Sequence, residues 1–180
     1  MMLEPFKPFT ASEFQVKFAT ESWERRGALA LRREVFCTEQ GLFEGDDVDA
    51  IDGHAIPLVA LSMLGVAADA VVGTVRIHEA EAGVWWGSRL AVAPGYRKVG
   101  ALGAALIRLA VSSAHARGCR RFLARVQAQN VLLFRRLHWQ TVEEIELLGK
   151  PHHLMLADLN YYRPFENAER GFVALARRAA

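Results

Sequence analysis

Phe14, Val16 and Phe18 alternate with Gln15 and Lys17, which predicts a half-buried strand after a proline-containing arm over residues 1 to 12. From Ser22, which fits an N-cap, the period becomes helical. Trp23, Ala30, Leu31 and Val35 form an apolar side, with Arg25, Arg26, Arg32 and Arg33 mostly outside it, to about Phe36. Residues 39 to 54, EQGLFEGDDVDAIDGH, are acidic and glycine-punctuated and read as a loop, with room for a short helical turn. Two near-continuous apolar runs, residues 55 to 64 and 70 to 78, predict strands of a sheet covered on both faces.

VWWGSRLAV, residues 84 to 92, predicts the next strand. Alternation puts Val84, Trp86, Ser88, Leu90 and Val92 on one face and Trp85, Gly87, Arg89 and Ala91 on the other, with Gly87 a candidate bulge. A largely buried helix runs from about Gly100 to Arg117 and stops at Gly118. A strand over residues 119 to 128, a helix over 129 to 139 and a hairpin across Gly149, Lys150 and Pro151 follow. Residues 165 to 178 read as a short amphipathic helix that Phe165, Phe172 and Leu175 would dock. The whole is a mixed α/β chain, one domain over residues 1 to 180 with a core over 13 to 158.

Charge and composition narrow the function classes. A net charge of +2, with scattered dibasic pairs, makes no case for nucleic acid. The chain lacks an apolar run of about 18 residues, so no membrane span is expected. The start, MMLEPFKPF, has no basic region followed by an apolar core, so a cytoplasmic location is expected. Cys37 and Cys119 stand alone and are expected as free thiols. His152 and His153 are adjacent on a strand and point to opposite faces, and no other spacing of ligand residues points to a metal.

The stretch from Ser88 to Leu106 carries the chemistry. A strand ends in the turn Ala93, Pro94, Gly95, passes Arg97 and Gly100, and opens a helix. The first amides of a helix lack intrahelical acceptors and its dipole favours negative charge there, so the arrangement suits an anion. Arg97 can add a charge-assisted hydrogen bond to a phosphate.

This arrangement resembles motif A of the GNAT family of N-acetyltransferases, Arg/Gln-x-x-Gly-x-Gly/Ala after a strand reading L-x-V. Leu90, Ala91, Val92, Arg97 and Gly100 fit it; Leu102 stands where Gly or Ala is usual, and the second glycine comes one residue late at Gly103. Either the loop carries an extra residue or the register has shifted. LRREVFCTEQ followed by spaced aspartates is similar to the ElaA-like acetyltransferases and to the acyl-homoserine-lactone synthases. In the synthases a Trp follows the glycine, whereas Leu42 and Phe43 follow Gly41 here. QNVLLFRRLHW is similar to the family's N-x-x-A-x-x-F-Y run, with Phe134 where a Tyr commonly protonates the departing thiolate; Tyr161 or Tyr162 could stand in.

The resemblance implies a GNAT fold, a mostly antiparallel mixed sheet of about six to seven strands flanked by helices. It implies acetyl-CoA as donor, held by Leu90, Ala91, Val92, Arg97, Lys98, Val99, Gly100, Ala101, Leu102, Gly103, Asn130 and Phe134. It implies a small-molecule amine as acceptor, near Arg32, Phe36, Asp49, Asp52 and Arg76, and it leaves a homodimer open. The acidic loop, with Glu44, Asp46, Asp47, Asp49 and Asp52, would form a negative rim that attracts a cationic amine. Direct transfer in a ternary complex needs a base, for which Glu79 and Glu81 lead and His78, Glu39 and Asp52 follow. The alternatives are a synthase that acylates S-adenosylmethionine and a non-catalytic acyl-CoA-binding module.

Overall fold

A computed structural model of the protein describes residues 9–98 and 101–176. Val99 and Gly100, expected at the phosphate turn, lie outside the described residues. The chain builds one eight-stranded sheet. In chain order the elements are β1 (Glu13–Phe18), α1 (Ser22–Arg32), β2 (Ile56–Leu64), β3 (Ala67–Glu81), β4 (Val84–Val92), α2 (Leu102–Ala116), β5 (Arg121–Gln127), α3 (Val131–Arg136), β6 (Trp139–Leu147), β7 (Lys150–Ala157) and β8 (Phe172–Leu175). The strand order is β6-β7-β5-β4-β3-β2-β1-β8. Among the described residues only β4 and β5 are parallel neighbours; the other pairs are antiparallel.

The two helices that cover the sheet follow from its periodicity. On one face α2 buries Leu102, Leu106, Leu109, Ala110 and Val111 against Phe14, Val16, Leu58, Val75 and Ile77. Each fully buried Leu or Val contributes roughly 1.5–3 kcal/mol. Gly73 of β3 lets α2 approach, since a Cβ there would lie 3.0 Å from Leu106 Cδ1. On the other face α1 sets Ala28 against Val59 and Leu61. Its N-cap is Glu21 rather than Ser22, in a capping box with Glu24. Lys17, patterned as a solvent residue, is buried on that face with Glu24, its Nζ 2.6 Å from the carboxylate.

Beyond α1 the chain continues as a π-helical segment, Arg33–Glu39, and the acidic loop then carries a single 3-10 turn, Ala50–Gly53. The expected tail helix is not formed among the described residues 165–176. Residues 172–175 are instead β8, paired with β1 in register Glu13↔Leu175 to Val16↔Phe172. Phe172 and Ala174 pack on the core, while Val173 and Leu175 stay exposed. That is the period of two of a strand. Gly171, at φ +70°, turns the chain onto β1 so closely that a Cβ would stand 1.8 Å from the Val16 carbonyl oxygen. This strand takes the sheet to eight, above the expected six to seven.

Candidate functional site

β4 is kinked where it matters. Thr74 pairs with Ala91 and Arg76 with Ser88, so Arg89 and Leu90 together face the single residue Val75. The bulge is therefore at Arg89, which has φ +57°, and not at Gly87. It reverses the alternation: Trp85 and Leu90, five apart, both lie against the core under α2, and Ala91 turns to the α1 face. Gly87 has another task, since a Cβ on it would lie 3.0 Å from the Phe122 ring. The parallel pairing of β4 with β5 ends at Gly87↔Ala124. From there the strands part, and one edge of residues 88 to 92 has no strand partner.

A cavity of about 290 Å³ threads this gap from one face of the sheet to the other. Under α2 it is apolar, lined by Ile107, Ala110, Val111, Phe122, Phe134 and Trp139. Phe134 packs edge-on to Trp139, ring centroids 5.1 Å apart. On the α1 face the wall changes character, with Phe36, Phe43, Arg76, His78, Trp86 and Arg125. Of the expected residues, Phe36, Asp49, Arg76, Leu90, Asn130 and Phe134 meet here.

A second group of expected residues sits behind the wall, in a closed ring of three arginines and three aspartates. Arg32 joins Asp47 at 2.8 Å and Asp52 at 2.7 Å. Arg76 joins Asp52 at 2.9 Å and Asp49 at 2.6 Å. Arg89 closes the ring onto Asp49 at 3.3 Å and Asp47 at 2.9 Å. Arg32, Arg76 and Asp47 are buried. Hydrogen bonds from Arg76 hold the Asp49 carboxyl below the usual carboxylate range. Burial alone would raise Asp52, but bonds from Arg32, the Asp49 amide and Arg76 outweigh it and hold the group well below that range. The ring is neutral, and it also holds Arg89 in its left-handed conformation, with the guanidinium over Phe43 at 4.5 Å.

This corrects the reading of the acidic loop. Asp47, Asp49 and Asp52 are consumed by arginines of the fold, while Glu44 and Asp46 stay exposed, Asp46 accepting from the Val48 amide, so two of the five expected acids are left to form a rim. Arg32 and Asp52 do not line the cavity; they position Arg76 and Asp49, which do.

The remaining expectations divide. Glu79 and Glu81 lie at the far end of the β3–β4 hairpin, exposed and outside the cavity, and Glu79 accepts from the Gly83 amide as a turn residue. His78 does line it. Its Nδ1 is buried with no hydrogen-bond partner among the described residues, and its ring lies edge-on to His54 with centroids 5.6 Å apart. Burial, then His54 and Arg76, push its imidazole below the ordinary value, so it is neutral at pH 7. Tyr162 does not line the cavity; it is buried behind Trp139, a wall residue, accepting from its Nε1 and donating to the Leu137 carbonyl, and burial pushes it up to about 12. Tyr161 stacks on His138, outside the cavity.

At the mouth of the gap, Val92 accepts from Arg97 Nε at 3.0 Å, and the Arg97 guanidinium is taken by Glu39 at 2.7 and 2.8 Å. Lys98 is exposed in the turn. Ala101 caps α2 in the left-handed conformation, φ +46°, where glycine is easiest. Leu102 is buried, and Gly103 lies in the first turn with open space where a Cβ would be. Sequence reading missed Trp86, Arg125 and His152 as wall residues, because on a strand they carry no spacing signal.

Among the described residues no group of acidic, histidine or cysteine side chains could hold a metal ion, and no helix is long and apolar enough to cross a membrane. Residues 19–139 match the family model described as the acetyltransferase (GNAT) family. A search of curated protein sequences found no match. Among solved structures, the chain resembles a presumed N-acetyltransferase from Lactobacillus plantarum at 20% identity and TM-score 0.71, covering 80% of this chain and 97% of that one. Escherichia coli ElaA gives 20% identity and TM-score 0.66 over 81% and 98% of the two chains. The CoA-dependent acyl-homoserine lactone synthase BjaI, solved with S-adenosylmethionine and isopentyl-CoA, gives 15% identity and TM-score 0.65 over 81% and 83%. At these identities the likeness is one of fold.

Proposed function

Since the chain belongs to the acetyltransferase (GNAT) family, we propose that it transfers an acyl group from acyl-CoA, acetyl-CoA in the first instance, directly to the amine of a small molecule. The observation that carries this reading is the parting of β4 from β5 around a cavity that crosses the sheet. The unpaired edge of residues 88 to 92 offers backbone amides and carbonyls to an extended amide-bearing arm. The first turn of α2, with Ala101, Leu102 and Gly103, offers free amides to a pyrophosphate, and Lys98 and Arg97 stand beside it.

Acyl-CoA supplies an activated thioester; the residues of this chain do the rest. A fourth-strand amide at the bulge stabilises negative charge growing on the thioester oxygen. His78, neutral and unpartnered, takes the proton from the attacking amine. Glu79 and Glu81 have no such part, since neither reaches the cavity. Holding both substrates in one cavity removes several kcal/mol, about 7–11 in the best intramolecular cases, from the barrier. Phe134 has no proton to give, and the thiolate leaves without one from Tyr161 or Tyr162. Thiols are acidic on the scale of amines and alcohols, a Cys thiol titrating at about 8.5, so an alkyl thiolate is a competent leaving group.

Calorimetric titration with acetyl-CoA tests the donor assignment, and release of free thiol over a panel of amines tests the reaction. Saturable binding in the micromolar range and thiol release are expected. Absence of binding overturns the donor assignment, and binding without thiol release for any amine makes the chain a binding module. S-adenosylmethionine belongs in the panel, and its acylation in preference to simple amines would move the chain to the synthase reading.

A further inference from the structure

The α1-side half of the cavity has an electrostatic asymmetry that the transfer reading does not use. Three arginines line the cavity, Arg76, Arg89 and Arg125, with a single carboxylate, Asp49. Arg76 and Arg89 are committed to the neutral ring, and so is Asp49. Among the described residues Arg125 has no ion-pair partner. The wall therefore holds one uncommitted cation and no uncommitted carboxylate, which is the wrong polarity for gripping an acceptor by its ammonium.

Arg125 is also held in place. Register places His78 of β3 opposite Trp86 of β4, and Trp86 opposite Leu123 of β5, with Arg125 two residues further along β5. From there the guanidinium reaches diagonally back over the indole, Cζ 4.4 Å from the ring centroid. Stacking fixes the plane of the fork and leaves its N–H edge free, which lowers the rotamer entropy lost when a planar anion arrives. Trp86 thus lies between a positioned cation on one strand and an unpartnered imidazole on the other.

We propose that the acceptor is an amino acid in the broad sense, an amine that also carries a carboxylate, with the carboxylate held by Arg125 over Trp86 and the amine presented to His78. This rests on the transfer reading for the fate of the amine, but the recognition itself needs only the cavity. Because His78 and Arg125 stand on the two strands that flank Trp86 of β4, an aromatic or extended spacer between the two groups suits the wall better than a single carbon.

The test uses a matched pair with similar amine basicity, 4-(aminomethyl)benzoate and benzylamine. Binding of each is measured by calorimetry on the protein alone and on the protein saturated with CoA, and thiol release from acetyl-CoA is followed with each. The acid-bearing amine is expected to bind at least about tenfold more tightly, as a charge-assisted bidentate contact provides. Arg125→Gln is expected to collapse that preference to near unity, and Arg125→Lys, which keeps the charge but not the fork, to restore part of it. Equal binding of the two amines, no binding of either up to millimolar concentration, or a preference unmoved by Arg125→Gln overturns the proposal. Failure of the transfer reading looks different: the carboxylate preference persists in binding while acetyl-CoA neither binds nor releases thiol.

Discussion

Glu39 holds the Arg97 guanidinium through both carboxylate oxygens, so a donor phosphate that uses Arg97 has to displace a ligand the protein already supplies. The pair lies at the surface, and such pairs are weak. Glu39→Gln should therefore tighten acetyl-CoA binding roughly two- to fivefold, in line with the modest strength of exposed pairs. Arg97→Glu should weaken it more than tenfold by placing a like charge beside the phosphates, an estimate on the scale of charged hydrogen bonds of about 1.5–3 kcal/mol. Calorimetry reads both. If neither substitution moves the affinity, Lys98 and the α2 amides hold the pyrophosphate without Arg97. His78 gives a pH signature. Its charged form is disfavoured, so it is a base above its depressed pKa and is lost as a base when pH falls through it. The turnover rate should climb with pH below about 6.5, the unperturbed value, and flatten above it. In His78→Gln that limb should vanish and turnover should drop by about 10²-fold or more. An unchanged profile removes His78 from the proton transfer. At this scale the sequence was informative about residue types and poor about their partners. The run from Arg32 to Asp52 stands out by its similarity to a family segment, but spacing alone cannot show that Arg32, Arg76 and Arg89 would close a ring with three aspartates from the acidic loop.

Among the elements, α1 shows how a weak propensity can serve packing. Gly27 is interior to the helix, and a Cβ there would lie 2.5 Å from Val71 Cγ2 of β3. Gly27→Ala gains about 1 kcal/mol of helix propensity. It meets a β-branched, stiff neighbour, and overpacking costs about 1–3 kcal/mol. The substitution should lower stability by about 1 kcal/mol net, read as a lower midpoint in urea unfolding. A rise would mean that α1 can slide on β3. Periodicity located α1, α2, β1 and β5, and continuous apolar runs located β2 and β3; β6, which buries only Trp139, was bounded with β7 by the turn at Gly149 to Pro151. Periodicity missed the bulge at Arg89, since a bulge is made by a backbone conformation and leaves no trace in hydrophobic alternation. It also missed β8, whose four residues are too few to separate a period of two from one of 3.6.

For the whole molecule, the sheet is completed by segments from both ends of the described chain, with β1 between β2 and β8. Gly171→Ala cannot keep its φ of +70° and its approach to Val16 without moving backbone. It should cost about 2 kcal/mol or more and release β8. Hydrogen exchange would then show lost protection at residues 172–175 while β3 and β4 keep theirs; retained protection would mean β8 tolerates a shifted turn. The eight-stranded order also sets a timetable for synthesis. Phe18 leaves the ribosome well before Leu175, and at about 5–20 residues per second the interval is roughly 8 to 30 s. Through that time the outer edge of β1 is an open template for another nascent chain, with Glu13, Gln15 and Lys17 as its polar residues, until β8 is made and closes it.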